Sequence, residues 1–348
     1  MRFAVAATLL LLTATGARAA PIPIRVVVVT TFELGHDTGD TPGEFQNWVE
    51  KLPLPTVLAF PQGYHPLRYN AWLHVLGMVS GEGPARMAAS ITALGYDPRF
   101  DLSHAYVVLA GIAGIDPRIG SVGSAAWAKH VISGDGFEID AREIPSGWPT
   151  GIVPFQRTTP YQQPPPAAES IWGTAVTTLN AGLVDWAYGL TRTMKLPDGP
   201  GLLALRARYT DTAAARRPPA VLKGDTLSSG MFWIGWKMND WAEQWTRYWT
   251  HGTGTFATTA EEDAGMMQAL TFLAQTHRVD LARVLVLRTA SDYDAPPPGE
   301  TAAALLASEG TETGFAAYRA SLDAAYAVGS PVVRYLATHW SVTRDQIP

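Results

Sequence analysis

The sequence predicts an α/β fold, and three observations carry that expectation. Short, nearly continuous apolar runs recur along the chain, at Ile24 to Val29, Ala105 to Ala110 and Val284 to Leu287. Runs of that length read as buried parallel strands. Between them lie segments with apolar residues at helical spacing, such as Met266, Leu270 and Leu273. The strands run out into polar or glycine-bearing stretches, where open α/β sheets bind ligands.

The chain has 348 residues, room for one large α/β domain or two small ones. Its net charge of −5 and lack of basic clusters give no nucleic-acid footprint. With no cysteine, disulfides, thiolate nucleophiles and zinc–thiolate sites are excluded. No metal site and no cofactor are expected. Residues 1–20 read as a signal peptide: Arg2, an apolar run from Phe3 to Leu12, then the small-residue pattern Ala17-Arg18-Ala19. The run falls short of the roughly 20 apolar residues that span a bilayer. No other segment approaches that length without charge. The expectation is a protein exported to the periplasm with no transmembrane span of its own.

Ile24 to Val29 is the first strand and ends at Thr30-Thr31-Phe32-Glu33. A polar, glycine-rich loop follows, then a short helix from Glu44 to Lys51. Trp72 to Met78 is the next strand. It enters a Gly81-Glu82-Gly83 turn and a helix from Ala85 to Leu94, an order that can bring backbone N–H groups to an anion. It lacks the full dinucleotide fingerprint. The strand Ala105 to Ala110 delivers Gly111-Ile112-Ala113-Gly114, whose glycines permit close approach. Val122 to Ile132 reads as a bent strand. Residues 140–170, rich in Pro, Gly and Thr, form a long excursion within an inserted loop and helical region around 140–255. Helices are expected at 168–191 and 206–217. Trp241, Trp245 and Trp249 fall on one helical face. They read either as a core or interface stripe or as an aromatic wall for a planar ligand. Two helices close the chain, at 314–327 and 331–339.

The acidic stretch Thr258-Thr259-Ala260-Glu261-Glu262-Asp263 carries a capping-box pattern, Thr259 with Glu262, and so predicts a helix start. The strand Val284 onward ends in Arg288-Thr289-Ala290-Ser291-Asp292-Tyr293-Asp294. Acids in a first helical turn are favoured by the dipole whatever else they do. An Asp after a strand is commonly a turn former.

Taken in order, these landmarks resemble the purine nucleoside permease family, whose fold is similar to that of nucleoside phosphorylases and nucleosidases. The residues that carry the resemblance are Phe32-Glu33, the Gly81-to-Gly83 turn, Gly111 to Gly114, Gly224-Asp225, the tryptophan segment, Thr258 to Asp263, and Leu287 to Tyr293. It implies a three-layer α-β-α architecture with a central mixed sheet, as one domain over residues 21–348. It also implies roles. Asp263, with Glu262 beside it, resembles the acid that holds the ribose hydroxyls. Ser291-Asp292 matches the pair that meets the purine, Asp292 donating a proton to the leaving base. Glu33 is the nearest match to the water-activating carboxylate. Gly111, Ile112, Ala113, Gly114 and Tyr293 complete the substrate contacts. The family's relatives carry a hydroxyl in the glycine turn, whereas Ile112 offers no donor, which counts against phosphate as a second ligand.

The implied ligand is a purine nucleoside. The implied activity is cleavage of the N-glycosidic bond, by water rather than by phosphate. The alternatives are nucleoside capture for uptake without cleavage and phosphate-dependent phosphorolysis. The tryptophan stripe leaves a homodimer open.

Overall fold

A computed structural model describes residues 20–348, the side chains of residues 312 and 313 aside. The leader expected over residues 1–20 lies, Ala20 apart, outside the described residues. Among them no helix is long and apolar enough to cross a membrane.

The strand Val26–Thr30 lies at the heart of a twelve-stranded mixed sheet. Its four valines are all buried, because it pairs in parallel with Val75–Val79 on one side and Tyr106–Ile115 on the other. β-branched residues suit such a strand, apolar on both faces. Beyond Val75–Val79 the sheet continues antiparallel through Leu67–Asn70 to an edge at Thr56–Leu58. The ten-residue strand Tyr106–Ile115 also pairs in parallel with Val284–Tyr293 and, near its end, antiparallel with Phe256–Ala260. The last of these leads through Asp225–Ser228 and His130–Ser133 to Val176–Thr178.

Helices cover both faces. The long helix Glu312–Thr338 packs on Tyr106–Ile115 and Val284–Tyr293, joined by Gln46–Lys51 and Ala181–Thr191. The second layer pairs Pro84–Gly95 with Asp263–Gln275. That pairing is unusually close. A Cβ added at Gly265 would lie 2.3 Å from the carbonyl oxygen of Pro84.

Several local readings gave way to tertiary structure. Thr258 and Thr259 are strand residues, and the helix begins only at Asp263, with Glu262 at its N-cap and no side-chain cap. The capping-box pattern therefore does not operate. The strand expected from Trp72 starts at Val75, and Trp72 is exposed in the turn before it. Residues 122–132 form two strands, Ala125–Trp127 and His130–Ser133. Of the helix expected at 168–191 only Ala181–Thr191 is helical; the rest forms short strands. The helix expected at 206–217 lies instead at Pro200–Ala207. The two C-terminal helices are one, with Pro331 inside it. Trp241, Trp245 and Trp249 sit in a core cluster with Trp233 and Phe256. Their burial fits the core-stripe reading.

The Gly265 contact yields a prediction. Gly265→Ala would ordinarily gain about 1 kcal/mol of helix propensity. Here the methyl group meets backbone, so the variant is expected to lose roughly 1–3 kcal/mol instead. Urea unfolding of the two proteins checks the sign.

Candidate functional site

The carboxyl end of Val284–Tyr293 organises the site, and one side chain anchors it. Arg288 is fully buried. It donates to Asp263 through Nε at 3.1 Å and Nη2 at 2.8 Å, to Glu262 through Nη2 at 2.9 Å, and to the Ile112 carbonyl through Nη1 at 2.9 Å. Burial opposes the Arg288 charge, but Asp263 and Glu262 more than compensate, so its pKa moves further up. Glu44 lies against the same guanidinium. Its carboxylate accepts from Thr31 N at 2.6 Å, Thr31 Oγ1 at 2.8 Å and Ile112 N at 2.6 Å. Burial raises Glu44 to about 7, with Arg288 pulling the other way.

Gly111 makes this possible. A Cβ there would stand 2.6 Å from Arg288 Nη1 and 2.8 Å from Glu44 Oε1. Gly114 does the same for a second group of acids. Its Cβ would meet Asp294 Oδ1 at 1.9 Å, Thr259 Oγ1 at 2.6 Å and Asp292 Oδ2 at 3.0 Å. The two glycines of Gly111-Ile112-Ala113-Gly114 are thus accounted for by side chains that need their space.

Ser291 is where the register of Val284–Tyr293 slips: Ala290 faces Ala113, and Asp292 faces Gly114. Bulges re-aim side chains next to functional sites. Ser291 Oγ bonds the Ala113 carbonyl and Asp292 Oδ1, the latter at 2.7 Å. Asp292 Oδ2 is buried and has no partner. Burial pushes Asp292 up to about 6, with the Ser291 hydroxyl opposing. Asp294, buried behind it, goes well above the usual carboxylate range through burial and then the Asp292 charge.

Ile112, Gly114, Glu262, Ser291 and Asp292 border a cavity of about 750 Å³, within the roughly 300–1,000 Å³ of small-molecule sites. Of the residues expected from sequence, Glu33, Ile112, Ala113, Gly114, Glu262, Ser291 and Asp292 line it. Three do not. Asp263 is wholly buried and held by Arg288, so Glu262 is the acid of that pair that reaches the cavity. Gly111 lies behind the wall. Tyr293 turns the other way, donating to the Ala215 carbonyl at 2.8 Å and packing on Tyr209. Glu33 faces the cavity with its lone pairs taken: it accepts from the backbone N–H groups of Leu34, Gly43, Phe45 and Gln46. A carboxylate offers about four such positions. The anion-binding turn expected at Gly83 is also filled internally, since Gly83 N–H donates to Glu262 Oε1 at 2.9 Å.

Sequence reasoning missed Glu44, Glu309 and an aromatic wall. Phe32 stacks on Tyr318, which stacks on Phe315, and all three line the cavity. Only the aromatic residues' helical spacing, Phe315 and Tyr318 three apart, was a usable signal.

Removing Arg288 tests the anchor. Arg288→Leu leaves Asp263, Glu262 and Glu44 facing one another in a dry interior. A loss of roughly 3–5 kcal/mol is expected, read from denaturant midpoints at neutral pH.

Residues 23–348 match the family model described as purine nucleoside permease. A protein of Schizosaccharomyces pombe named as a probable purine nucleoside permease is 31% identical over 293 residues, 82% of each chain. The purine nucleoside permease of Candida albicans is 31% identical over 268 residues, 76% of this chain, which spans 64% of that relative's length. Among solved structures, the fold is similar to Helicobacter pylori 5′-methylthioadenosine/S-adenosylhomocysteine nucleosidase, with TM-score 0.51, 12% identity and coverage of 88% and 99%. It is also similar to the futalosine hydrolase of the same organism, with TM-score 0.52, 11% identity and coverage of 89% and 97%. The chain belongs to the purine nucleoside permease family.

Proposed function

We propose that the protein binds a purine nucleoside in this cavity and hydrolyses its N-glycosidic bond. The observation that carries the reading is Asp292 Oδ2, an unpartnered buried carboxyl oxygen at the cavity wall. Cleavage leaves negative charge on the base, and a carboxylic acid placed there relieves it by donating a proton. Burial raises Asp292 to about 6, which keeps it protonated closer to neutrality than an exposed aspartate. Positive charge builds on the sugar, where Glu262 supplies a carboxylate. The aromatic wall of Phe32, Phe315 and Tyr318 offers the purine a face.

Water is favoured over phosphate by the cavity's charge. Among the described residues six acidic side chains line it, at Glu33, Glu82, Glu261, Glu262, Asp292 and Glu309, and no Lys, Arg or His does. A phosphate dianion would enter against that field. Glu44 is our candidate for the water activator in place of Glu33. Burial raises it to about 7, and it accepts three hydrogen bonds against the four of Glu33. It lies one layer behind Thr31 and Ile112. That recessed position favours a second reading, capture without cleavage for an uptake system. In either case the Arg2-to-Ala19 segment supports export to the periplasm.

Purified protein incubated with adenosine, guanosine or inosine should release free base without phosphate. Asp292→Asn should lower kcat by roughly 10²–10⁴-fold, and Glu44→Gln should cost more than Glu33→Gln. Nucleoside binding with no base released in any buffer rejects hydrolysis in favour of capture. Ribose 1-phosphate formed only with phosphate present rejects the preference for water.

A further inference from the structure

We propose that Phe232 is a ligand-contacting residue carried on a strap, residues 229–235, that closes the cavity over a bound nucleoside; this rests on the reading that the cavity binds a nucleoside, whether or not the nucleoside is cleaved. The strap is the run Ser229-Gly230-Met231-Phe232-Trp233-Ile234-Gly235, between the strand Asp225–Ser228 and the helix Trp236–Trp249.

Both feet of the strap stand on the acidic stretches of the site. Ser229 N–H donates to the Ala260 carbonyl at 2.9 Å, directly before Glu261 and Glu262. Gly235 N–H donates to the carbonyl of Asp294 at 2.7 Å, two residues beyond Asp292. Between these feet the backbone is held by little. Met231 N–H reaches Ser229 Oγ at 3.4 Å, and among the described residues the N–H groups of Gly230, Phe232, Trp233 and Ile234 have no partner. Segments with so few backbone bonds open at low free energy.

The side chains divide the strap into a fixed part and a free part. Trp233 is buried in the tryptophan cluster, stacked on Phe256 with 6.2 Å between ring centroids and edge-on to Trp241 at 5.9 Å. Met231 and Phe232 stay in water, 61% and 50% exposed. Phe232 nonetheless lines the main cavity. It shares the lining with Leu34, Tyr64 and Phe315, which are exposed as well. Large exposed apolar side chains gathered at one cavity mark a surface that a bound partner completes. Here the partner is the nucleoside, because Asp292 and Glu262 stand in the wall of the same cavity. A planar ligand under Phe232 takes the ring out of water.

Two glycines give the strap its freedom. Gly235 sits at φ +142°, yet a Cβ there would meet nothing closer than Ala302 Cβ at 3.8 Å. Backbone conformation rather than space requires glycine at this foot. At Gly230 the nearest atom to an added Cβ is Pro84 Cγ at 3.7 Å, so this end is loosely packed. A short segment with a glycine near each end, a buried pivot at Trp233 and an aromatic ring at the site is built as a lid.

The experiment measures hydrogen exchange at residues 229–235 in the Asp292→Asn protein, so that an added nucleoside persists. It is run with and without saturating inosine, guanosine or adenosine, and the release rate of each nucleoside is followed by stopped flow. Nucleoside should slow exchange of the strap by about tenfold. In the same background, Phe232→Ala should release nucleoside about tenfold faster with little change in association, as expected for uncovering about half of a phenylalanine side chain. Phe232→Leu should recover most of the loss. Exchange unchanged by a nucleoside that binds overturns the strap, even where Phe232→Ala speeds release, since Phe232 is then a fixed wall. Release unchanged in Phe232→Ala overturns the contact. If neither wild type nor Asp292→Asn binds any of the three nucleosides, the reading of the cavity falls and the strap with it, a result distinct from the other two.

Discussion

Arg288 is the constraint around which the site is built. One guanidinium with no solvent contact holds Asp263, Glu262 and the Ile112 carbonyl, with Glu44 beside it. A buried charge is tolerated only when its donors are satisfied, and here the partners come from three stretches of chain outside the strand that carries Arg288. The helix Asp263–Gln275, the strand Tyr106–Ile115, the segment before Gln46–Lys51 and the strand Val284–Tyr293 are tied at one point. Glu262 then extends the tie to the backbone before Pro84–Gly95. The same network decides which acid is free to act. Asp263 is consumed by the anchor, and Glu262 keeps an aspect towards the cavity.

Two glycines and one irregular residue convert that anchor into a site. Gly111 admits Arg288 and Glu44, and Gly114 admits Asp292, Asp294 and Thr259. The slip at Ser291 then sets Asp292 opposite Gly114. Without the slip, strand alternation would assign Asp292 to the other face. Backbone spacing on one strand and register on its neighbour therefore jointly fix where the acid points.

How much of this was legible follows from the range of the forces involved. The central strands were readable because a strand buried on both faces must be apolar throughout, as the valines 26–29 are. Asp292 was readable through its resemblance to a known pair. The Thr259–Glu262 pattern misled because capping is local, and a sheet claimed Thr259 first: its strand is paired on both sides and its hydroxyl is bonded to Asp294 at 2.8 Å. Glu44 and Glu309 carry no local signature at all. Glu44 is placed by Thr31 and by Ile112, the latter 68 residues away, and Glu309 by a cavity wall. The tryptophans were legible as a stripe, yet spacing alone does not say whether a stripe faces a ligand or a core.

The acids of the site oppose the stability of the fold at neutral pH, and the sign can be worked out. Glu44, Asp292, Asp294 and Glu309 all have folded-state pKa values above their ordinary ones. At these four groups the folded chain therefore holds more protons than the unfolded chain above about pH 4, and their contribution to stability falls as pH rises from there through the raised values. Asp37 and Asp97, lowered by His65 and Arg68 in one case and by Arg99 in the other, act in the opposite sense but lie outside the cavity. A fold selected only for stability would have no reason to leave Asp292 Oδ2 and Asp294 Oδ2 buried without partners. Strain of this kind collects where chemistry or binding requires it. That Asp292, with its unpartnered Oδ2, and Glu309, a second raised carboxyl, both line one cavity is the physical reason to look there for the ligand's reactive end.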